Sequence, residues 1–392
     1  MTIQGKRIAI IGAGIGGLTV ASALRQFGID AHVYEQATQL ARVGAGIHVA
    51  PNAVLGLMGA GLPLDVLTSI PAFPASSRHR DGYSGELTAD LTLGANSWRE
   101  FGAPYTLWHR GDLHAALCTL LPADRLHLGK RLVGVRQEDD VVRLTFADGS
   151  RTEADIVIAS DGLHSIVRQL VFAVDEAVNT GKVAYRSVLD RSTIKIDNLD
   201  PCTKWWGTDR HFVHYEVSGG RELAFTTSVA EDRGEGVESW SATGNPDVLR
   251  AAFTDFHPTV RTILAGIKMV NKWALHTREP LERWSDRRVV LMGDACHTMP
   301  PYMGQGGAMA IEDAVVLARA LSEATGDEAG IANAFTSYEA TRRARATRVQ
   351  ETSNDNVFGR YDNEVGWVYG YDAWAVPLIS TERTLGVTAA VR

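Results

Sequence analysis

A thiol, an imidazole and a phenol occur in this sequence at a spacing that a β-hairpin would bring together. Two largely apolar runs flank the polar segment 207–210, which is typical of a hairpin loop. If those four residues form the loop, Trp206 pairs with His211, and Cys202 lies opposite Tyr215. Because side chains alternate between the faces of a sheet, Cys202, His211 and Tyr215 share one face. An imidazole with an ordinary pKa of about 6.5 can act as a general base or proton relay, and a phenol can orient a ring oxygen.

A glycine-rich turn near the start of the chain predicts that a dinucleotide binds there. An apolar run at residues 8–11 ends in Gly12, Gly14 and Gly17, and Glu35 follows a second apolar run. Gly12 would allow a tight turn, Gly14 would let a pyrophosphate approach the bare backbone, and Gly17 would let the next helix lie close to the strand. That helix directs unpaired N–H groups at the phosphates, and Glu35 can accept hydrogen bonds from a ribose hydroxyl.

Composition argues against several classes of function. The chain has 392 residues, with 39 lysines and arginines against 46 aspartates and glutamates, a net charge of −7. Without a basic run, this charge argues against a nucleic-acid partner, and no uninterrupted apolar stretch is long enough to span a membrane. Cys118, Cys202 and Cys296 are too few and too scattered for a disulfide framework or a zinc site, and no paired ligand spacing suggests a metal. We therefore expect a cytoplasmic protein without a metal centre.

Two further strand ends indicate which dinucleotide binds. One apolar run leads into Asp161 and Gly162, and another ends at Asp294, shortly before Gly306 and Gly307 open a helix. These glycine-bearing strand ends, in this order, resemble those of the single-component FAD-dependent aromatic hydroxylases, the family related to salicylate and hydroxybenzoate monooxygenases. The resemblance implies that the Asp161 segment touches both flavin and nicotinamide, and that Asp294 hydrogen-bonds the ribityl chain. The cofactor-binding residues it implies are Gly12, Gly14, Gly17, Glu35, Arg42, Arg110, Asp161, Asp294, Gly306 and Gly307.

The hairpin residues extend this resemblance to the substrate pocket. Together with His48, the residues Cys202, His211 and Tyr215 resemble the pocket of the 6-hydroxynicotinate 3-monooxygenases, a subgroup of the family. One position departs from that subgroup, because Tyr302 stands where those enzymes carry a histidine close to the flavin. A phenol keeps a hydrogen-bonding group there but does not become a cation near neutral pH. His48 and Tyr302 are candidates to hold a substrate carboxylate, and the identity of the ring acid stays open.

The resemblance also implies a reaction. NADH or NADPH would reduce FAD, and O2 would then give a flavin C4a-hydroperoxide that attacks an electron-rich aromatic acid. For 6-hydroxynicotinate, insertion at the carbon that bears the carboxylate would release CO2 and give 2,5-dihydroxypyridine. His211 is the expected general base, Tyr215 would orient the ring oxygen, and Cys202 would be a polarizable wall rather than a nucleophile.

Two alternatives to this function remain open. The first is a hydroxylase of a benzenoid acid such as salicylate or hydroxybenzoate, which would share every flavin motif. The second is a flavin-loaded protein that binds an aromatic compound without catalysis. The subunit count also stays open, with a homodimer as one arrangement.

The elements that position these residues predict an α/β fold with α+β features. We expect a Rossmann-like FAD-binding domain, an antiparallel-sheet substrate domain and C-terminal helices. Alternating strands and helices are expected over 6–75, 100–175 and 286–325. The predicted domains are 1–75, 100–175 and 275–330 for FAD binding, 76–99 and 176–274 for the substrate-binding sheet, and 331–392 for a C-terminal helical and aromatic segment.

Three local features complete the expectations. The middle sheet should end in one helical segment over 247–266, and a basic helix should cover 335–349. We expect Arg342 and Arg345 of that helix to form a solvated, salt-bridged face. His297 should position the backbone next to Asp294. Four other histidines are expected to be structural or surface residues: His109, His164, His214 and His276.

Overall fold

The computed structural model describes residues 2–42, 45–172, 177–231, 243–356 and 364–380. Over these residues the strands are β1 Ile8–Ile11, β2 Ala31–Tyr34, β3 Gly46–Val49, β4 Ser76–Asp81, β5 Leu87–Thr92, β6 Thr106–His109, β7 Leu126–His127, β8 Leu132–Gln137, β9 Val142–Phe146, β10 Arg151–Ala154, β11 Ile156–Ala159, β12 Val178–Asp190, β13 Cys202–Trp206, β14 His211–Val217, β15 Glu222–Ala230, β16 Thr243–Gly244, β17 Val270–Thr277, β18 Ser285–Asp286 and β19 Val289–Leu291. The helices are α1 Ile15–Gln26, α2 Pro51–Gly59, α3 Leu64–Ser69, α4 Ala95–Phe101, α5 Arg110–Cys118, α6 Ile166–Val171, α7 Pro246–Ala251, α8 Pro258–Ala265, α9 Gly306–Ser322, α10 Glu328–Asp355 and α11 Gly366–Tyr369.

A parallel sheet carries the glycine-rich turns. Its strand order is β18-β19-β11-β1-β2-β7, and the neighbours from β19 to β7 are parallel. Every residue of β1 and β11 is buried, as expected for parallel strands covered on both faces. The turns that follow β1, β11 and β19 therefore meet at one edge of the sheet, where open α/β sheets bind their ligands.

An eight-stranded sheet forms the second large unit. Its order is β16-β17-β12-β15-β14-β13-β4-β5, and its pairs are antiparallel except for the parallel pair of β13 and β4. The predicted mixed architecture, with a Rossmann-like part and a largely antiparallel sheet, is confirmed.

The two faces of this sheet pack against different parts of the molecule. Cys202, Tyr215 and Ala224 belong to the main core, which they share with the parallel sheet and α9. Trp205 and Phe212 belong to a second core, with α7 and α8. Because neighbouring residues of a strand point to opposite faces, one set of side chains stabilises the sheet while the other faces the nucleotide-binding part.

Two expectations about secondary structure are wrong. Between β7 and β11 the chain forms a three-stranded antiparallel sheet, β10-β9-β8, instead of alternating strands and helices, and Gly149 turns with a φ of +81° between two of the strands. The single helical segment predicted at 247–266 is instead α7 and α8. Pro258 explains the break, because the residue before a proline is pushed out of the helical region, and His257 has a ψ of 145°.

The basic helix is longer than predicted and differently buried. It runs as α10 from Glu328 to Asp355, and an N-cap at Asp327 accepts a hydrogen bond from Gly330 N at 2.9 Å. The prediction of a solvated face is wrong for Arg342, which is fully buried and paired with Glu312 and Asp313 of α9. The sequence of α10 shows that the helix is basic, but it does not show that carboxylates of α9 lie opposite its arginines.

The predicted C-terminal segment lies partly outside the described residues. Within 364–380 it packs back on the body, where Trp374 Nε1 donates to the carbonyl oxygen of Gly56 at 3.1 Å. Among the described residues, every helix is too short or too polar to cross a membrane.

Candidate active site

The turn after β1 has the geometry that a dinucleotide cradle requires. Gly12 has a φ of +99°, and a Cβ there would lie 2.9 Å from the carbonyl carbon of Ser160. A Cβ on Gly17 would overlap the carbonyl oxygen of Gly12. Gly14 is different, because a Cβ there would meet no atom within 4 Å. Gly12 and Gly17 are thus required by the fold, whereas Gly14 leaves room for a ligand to approach the backbone.

Glu35 lies against the same turn. Its carboxylate accepts hydrogen bonds from Ala13 N at 2.8 Å and from Ala37 N at 2.9 Å. Each oxygen of a carboxylate has two lone pairs, so Glu35 can fix the turn and still accept from a hydroxyl. Its predicted contact with a ribose remains a proposal.

Among the helices whose N-termini no side chain caps, α1 and α9 follow glycine-bearing turns at this edge of the sheet. α1 begins after Gly14 and α9 after Gln305, with neither a side-chain cap nor an acidic residue in the first turn. By contrast, Ser165 caps α6 and Asp327 caps α10. Uncapped N–H groups at the end of a helix favour phosphate or other electron-rich oxygens. The cradle, the open glycine and the two uncapped ends therefore fit a dinucleotide.

Asp294 lies beside the start of α9. Its Oδ1 is 3.9 Å from the position that a Cβ on Gly306 would take. Burial raises the pKa of this carboxyl, and His297, Arg110 and Arg186 oppose that rise. Burial lowers the pKa of Arg110 and lowers that of Arg186 to about 10. The guanidinium groups can donate hydrogen bonds and the carboxylate can accept them, so together they suit a polar chain such as a ribityl group.

Two predicted cofactor residues are committed to protein contacts. Arg42 donates to Asp112 at 2.6 Å and to Glu222 at 2.6 Å, and its side chain is 46% exposed. Asp161 accepts from Ser165 Oγ at 2.6 Å and from the backbone at the start of α6. Arg42 therefore links α5 to β15, and Asp161 stabilises a helix start; their contact with a flavin stays a prediction.

The pocket hairpin has the predicted register. Cys202 pairs with Tyr215, and Trp206 with His211, across β13 and β14. His214 points to the opposite face, where its Nδ1 accepts from Trp205 Nε1 at 3.1 Å, as expected for a structural histidine. The hairpin prediction is confirmed, and it places Cys202, His211 and Tyr215 on the face toward the nucleotide-binding part.

His48 and Tyr215 define one end of this surface. The ring of His48 lies edge-on to that of Tyr215, with centroids 4.2 Å apart, and Gly46 admits the Tyr215 ring because any Cβ there would collide with it. His48 Nδ1 is 2.7 Å from the hydroxyl of Tyr105. Tyr105 in turn contacts Tyr369, with ring centroids 5.5 Å apart and an interaction between the two hydroxyls. The site thus contains a chain of proton-carrying groups that leads from His48, beside the hairpin, through Tyr105 to Tyr369 of the C-terminal segment.

Burial keeps this end of the site uncharged. Desolvation, followed by the charge of Lys204, lowers the pKa of His48 to about 4, so its imidazole is neutral at physiological pH. Desolvation raises the pKa of Tyr215. It also raises the pKa of Cys202 to about 12, so this residue is a thiol and not a thiolate.

His211 and Tyr302 lie at the other end. Their ring centroids are 5.4 Å apart, and the Tyr302 hydroxyl is 3.0 Å from Ser228 Oγ. Desolvation, then Lys204 and Lys182, lower the pKa of His211 well below its ordinary value. Its described contacts are with aromatic rings, whereas those of His48 include a second proton carrier.

Sequence reasoning missed several residues that the fold brings to this surface. Tyr105 and Tyr369 come from distant segments, and only the aromatic composition of the C-terminal segment hinted at the second. Arg186 lies beside Asp294 through tertiary structure alone. Lys204 shares its strand face with Cys202 and Trp206, a position that follows from the alternation of the hairpin.

His297 links the turn that carries Asp294 to the buried ion pair of Asp313 in α9 and Arg342 in α10. Its Nε2 lies 2.6 Å from Asp313 Oδ2, which also accepts from Gly293 N at 2.9 Å. Asp313 receives a further hydrogen bond from Arg342 Nε at 2.8 Å. This cluster fixes the backbone of the turn that carries Asp294, the role predicted for His297.

Comparison with known proteins agrees with this geometry. Residues 111–353 match a family described as an FAD binding domain, and residues 10–52 match an NAD(P)-binding Rossmann-like domain. A 6-hydroxynicotinate 3-monooxygenase from Bordetella bronchiseptica is 43% identical over 97% of this chain and 99% of its own length. One from Pseudomonas fluorescens is 40% identical over 96% of this chain and 97% of its own. The crystal structure of Klebsiella pneumoniae HpxO with FAD and uric acid matches with a TM-score of 0.79 and 28% identity, over 98% of this chain and 96% of that one.

Proposed function

This chain belongs to the family of single-component FAD-dependent aromatic monooxygenases, and from that premise we propose that it converts 6-hydroxynicotinate, O2 and NAD(P)H to 2,5-dihydroxypyridine and CO2. The observation that carries the proposal is the hairpin surface, where Cys202, His211 and Tyr215 face the nucleotide-binding part and His48 of β3 lies against Tyr215. Two full-length relatives at 40% and 43% identity bear the name of this activity, which supports the choice of ring acid.

FAD binds as the cofactor, and we propose a division of labour among the residues that hold it. Gly14 and the N-terminus of α1 take the pyrophosphate, Glu35 takes the ribose, and Asp294 with the N-terminus of α9 takes the flavin end. Bound FAD, reduced by NAD(P)H, supplies an electrophilic oxygen derived from O2. The protein must hold the aromatic ring in place and remove the proton from its hydroxyl group, because only then is the ring electron-rich enough to react.

We assign the removal of that proton to His48. A neutral imidazole can accept a proton on Nε2 while Nδ1 passes one to Tyr105, so the ring never needs to remain a cation in its buried setting. The 2.7 Å contact with Tyr105 and the further contact with Tyr369 support this path. Tyr215, edge-on to His48, then orients the ring oxygen.

This assignment differs from the base expected from the sequence. His211 lies against Tyr302 and Trp206, and desolvation, then the charges of Lys204 and Lys182, lower its pKa. We propose that it donates an N–H to the substrate at the end of the ring opposite the hydroxyl. Cys202, as a thiol, forms an uncharged wall at the end of the site where it lies opposite Tyr215.

The deciding experiment is product analysis with 6-hydroxynicotinate labelled with 13C at the carboxyl carbon. The proposal requires labelled CO2 and unlabelled 2,5-dihydroxypyridine in equal amounts, with consumption of NAD(P)H. Retention of the label in a hydroxylated ring acid would exclude the decarboxylative reaction. A protein that stays yellow but oxidises no NAD(P)H with any aromatic acid would support a non-catalytic role instead.

A benzenoid acid is the second candidate substrate. Tyr302 favours it, because this phenol replaces the histidine of the 6-hydroxynicotinate enzymes, and its hydroxyl is engaged by Ser228. Salicylate and 3-hydroxybenzoate in the same assay separate the two candidates. Faster NAD(P)H oxidation and a hydroxylated product with either compound would favour this second function.

We further propose that the enzyme works in a reducing, cytoplasmic compartment. Cys118, Cys202 and Cys296 are all free thiols, as expected where disulfides do not persist. Whether it acts as a homodimer is a matter for sedimentation or light scattering.

A further inference from the structure

Lys204 is a buried cation inside the pocket region. It is 8% exposed and lies on β13 between Cys202 and Trp206, on the face that carries both. Its Nζ is 3.8 Å from the centroid of the Trp206 ring, a cation–π contact. It also donates, at 3.4 Å, to the backbone oxygen of Tyr302 and to Asn356 Oδ1. These contacts hold the ammonium group at a defined place beside residues that we assign to the substrate.

The field of this ammonium reaches both ends of the pocket. Lys204 is a cause of the lowered pKa of His48 and of the lowered pKa of His211. A single charge that acts on two imidazoles from opposite ends must lie between them or close to both. Lys182 adds a second positive charge on the His211 side, with Nζ 5.8 Å from the centroid of Tyr302.

We propose that the ammonium group of Lys204 binds the carboxylate of the aromatic substrate and makes the pocket selective for acids over their neutral analogues. The identity of the ring acid rests on the function proposed above, but the preference for an anion does not. Burying a carboxylate is costly unless a cation and hydrogen-bond donors receive it, and Lys204 with the His211 N–H provides both.

This placement also orients the ring. With its carboxylate near Lys204 and His211, a para-hydroxylated acid directs its hydroxyl away from them, toward His48 and Tyr215. A substrate without the carboxylate keeps the aromatic contacts but loses the restraint that sets this direction. Lys204 is therefore a specificity-determining residue.

A consequence for product release follows from the same contact. When the carboxylate leaves as CO2, the same ring carbon carries a neutral hydroxyl group, so Lys204 loses the anion and keeps at most an ordinary hydrogen bond to the product. The product should therefore bind more weakly than the substrate, and its affinity should depend less on Lys204.

The test uses the FAD-loaded protein and measures ligand dissociation constants by calorimetry under anaerobic conditions without NAD(P)H. The ligand pair is 6-hydroxynicotinate and 6-hydroxynicotinamide, which differ in charge but hardly in shape. In Lys204→Met, the dissociation constant of the acid should rise at least about 30-fold, the effect of about 2 kcal/mol for losing one partner of a buried charge pair. The constant of the amide should change less than about 3-fold, and Lys204→Arg should retain most of the affinity for the acid.

Lys272→Met is the matched control. Lys272 lies in the same sheet, with Nζ over the ring of Tyr185 at 5.8 Å and paired with Glu231. It does not contribute to the lowered pKa of either histidine, so its loss should leave the affinity for the acid within about 2-fold of the unmodified protein.

Two results would overturn the inference. Equal weakening of acid and amide in Lys204→Met would make Lys204 part of the wall, and unchanged affinity for the acid would remove it from the site. A third result would separate this inference from the proposed function. If 6-hydroxynicotinate does not bind, and salicylate binds only to proteins that carry a cation at position 204, the anion-binding site is supported and 6-hydroxynicotinate is not the substrate.

Discussion

Gly14 offers the sharpest test of where the pyrophosphate lies. Its φ of −70° and ψ of −178° are accessible to alanine, and a Cβ there would meet no atom within 4 Å. Gly14→Ala should therefore fold normally, and the free energy of unfolding of the apoprotein should change by less than about 1 kcal/mol. The new methyl group would occupy the space that we assign to the pyrophosphate. Losing one hydrogen bond to a charged oxygen costs about 1.5–3 kcal/mol, so the dissociation constant of FAD should rise about 10- to 150-fold.

The assay combines urea unfolding of the apoprotein, followed by circular dichroism, with a fluorescence titration of FAD. Gly366→Ala is the matched control, because a Cβ there also meets no atom within 4 Å but lies on α11. It should change neither quantity. Gly17→Ala is the opposite case, since its Cβ would overlap the backbone oxygen of Gly12 and should prevent correct folding. If folded Gly14→Ala binds FAD with undiminished affinity, the pyrophosphate does not lie over this glycine and the cradle argument fails.

Three further predictions concern the site and its supports. Tyr105→Phe removes the hydroxyl partner of His48 and should slow ring hydroxylation on the order of 100-fold at unchanged FAD content, as measured by rapid quench. If hydroxylation is not slowed, but His211→Ala abolishes turnover, the base is His211. Arg342→Met removes the cation that Glu312 and Asp313 share and leaves them only Arg345 and His297, so it should lower the free energy of unfolding by about 3 kcal/mol in urea titrations, whereas a loss below about 1 kcal/mol would contradict a buried charge cluster. Desolvation lowers the pKa of His297, but the charge of Asp313 outweighs it, so the pKa is raised. The pair therefore stabilises the fold below pH 6.5, and this contribution is lost as the pH rises through the raised pKa. The difference in the free energy of unfolding between the unmodified protein and His297→Gln should shrink from pH 6 to pH 9, and a constant difference would rule out a charged His297.

Local patterns predicted the parts of the site that local rules control. The glycines after β1 and the acid at Glu35 follow from the needs of a tight turn, and the hairpin register follows from a four-residue loop and strict alternation. The break between α7 and α8 was not predicted, although Pro258 is a local signal that one helical segment over 247–266 had to be interrupted there.

The rest depends on contacts between segments far apart in the chain. Arg342 looks like a surface residue on a polar helix, and only the packing of α10 on α9 turns it into a buried partner of two carboxylates. Tyr105 and Tyr369 are 264 positions apart by subtraction of their numbers, and no periodicity relates them, yet their rings meet beside His48. The roles of such residues can be recognised only once the tertiary packing of the helices and strands is known.

The division of labour between the two faces of β13 and β14 bears on how this protein could evolve. Trp205 and Phe212 secure the sheet on α7 and α8, while the alternate positions, among them Cys202 and Lys204, lie on the opposite face, to which we assign the aromatic substrate. A substitution at an alternate position can change which aromatic acid fits without opening a cavity in the second core. New substrate preferences could therefore arise one residue at a time along a scaffold whose stability is maintained from behind.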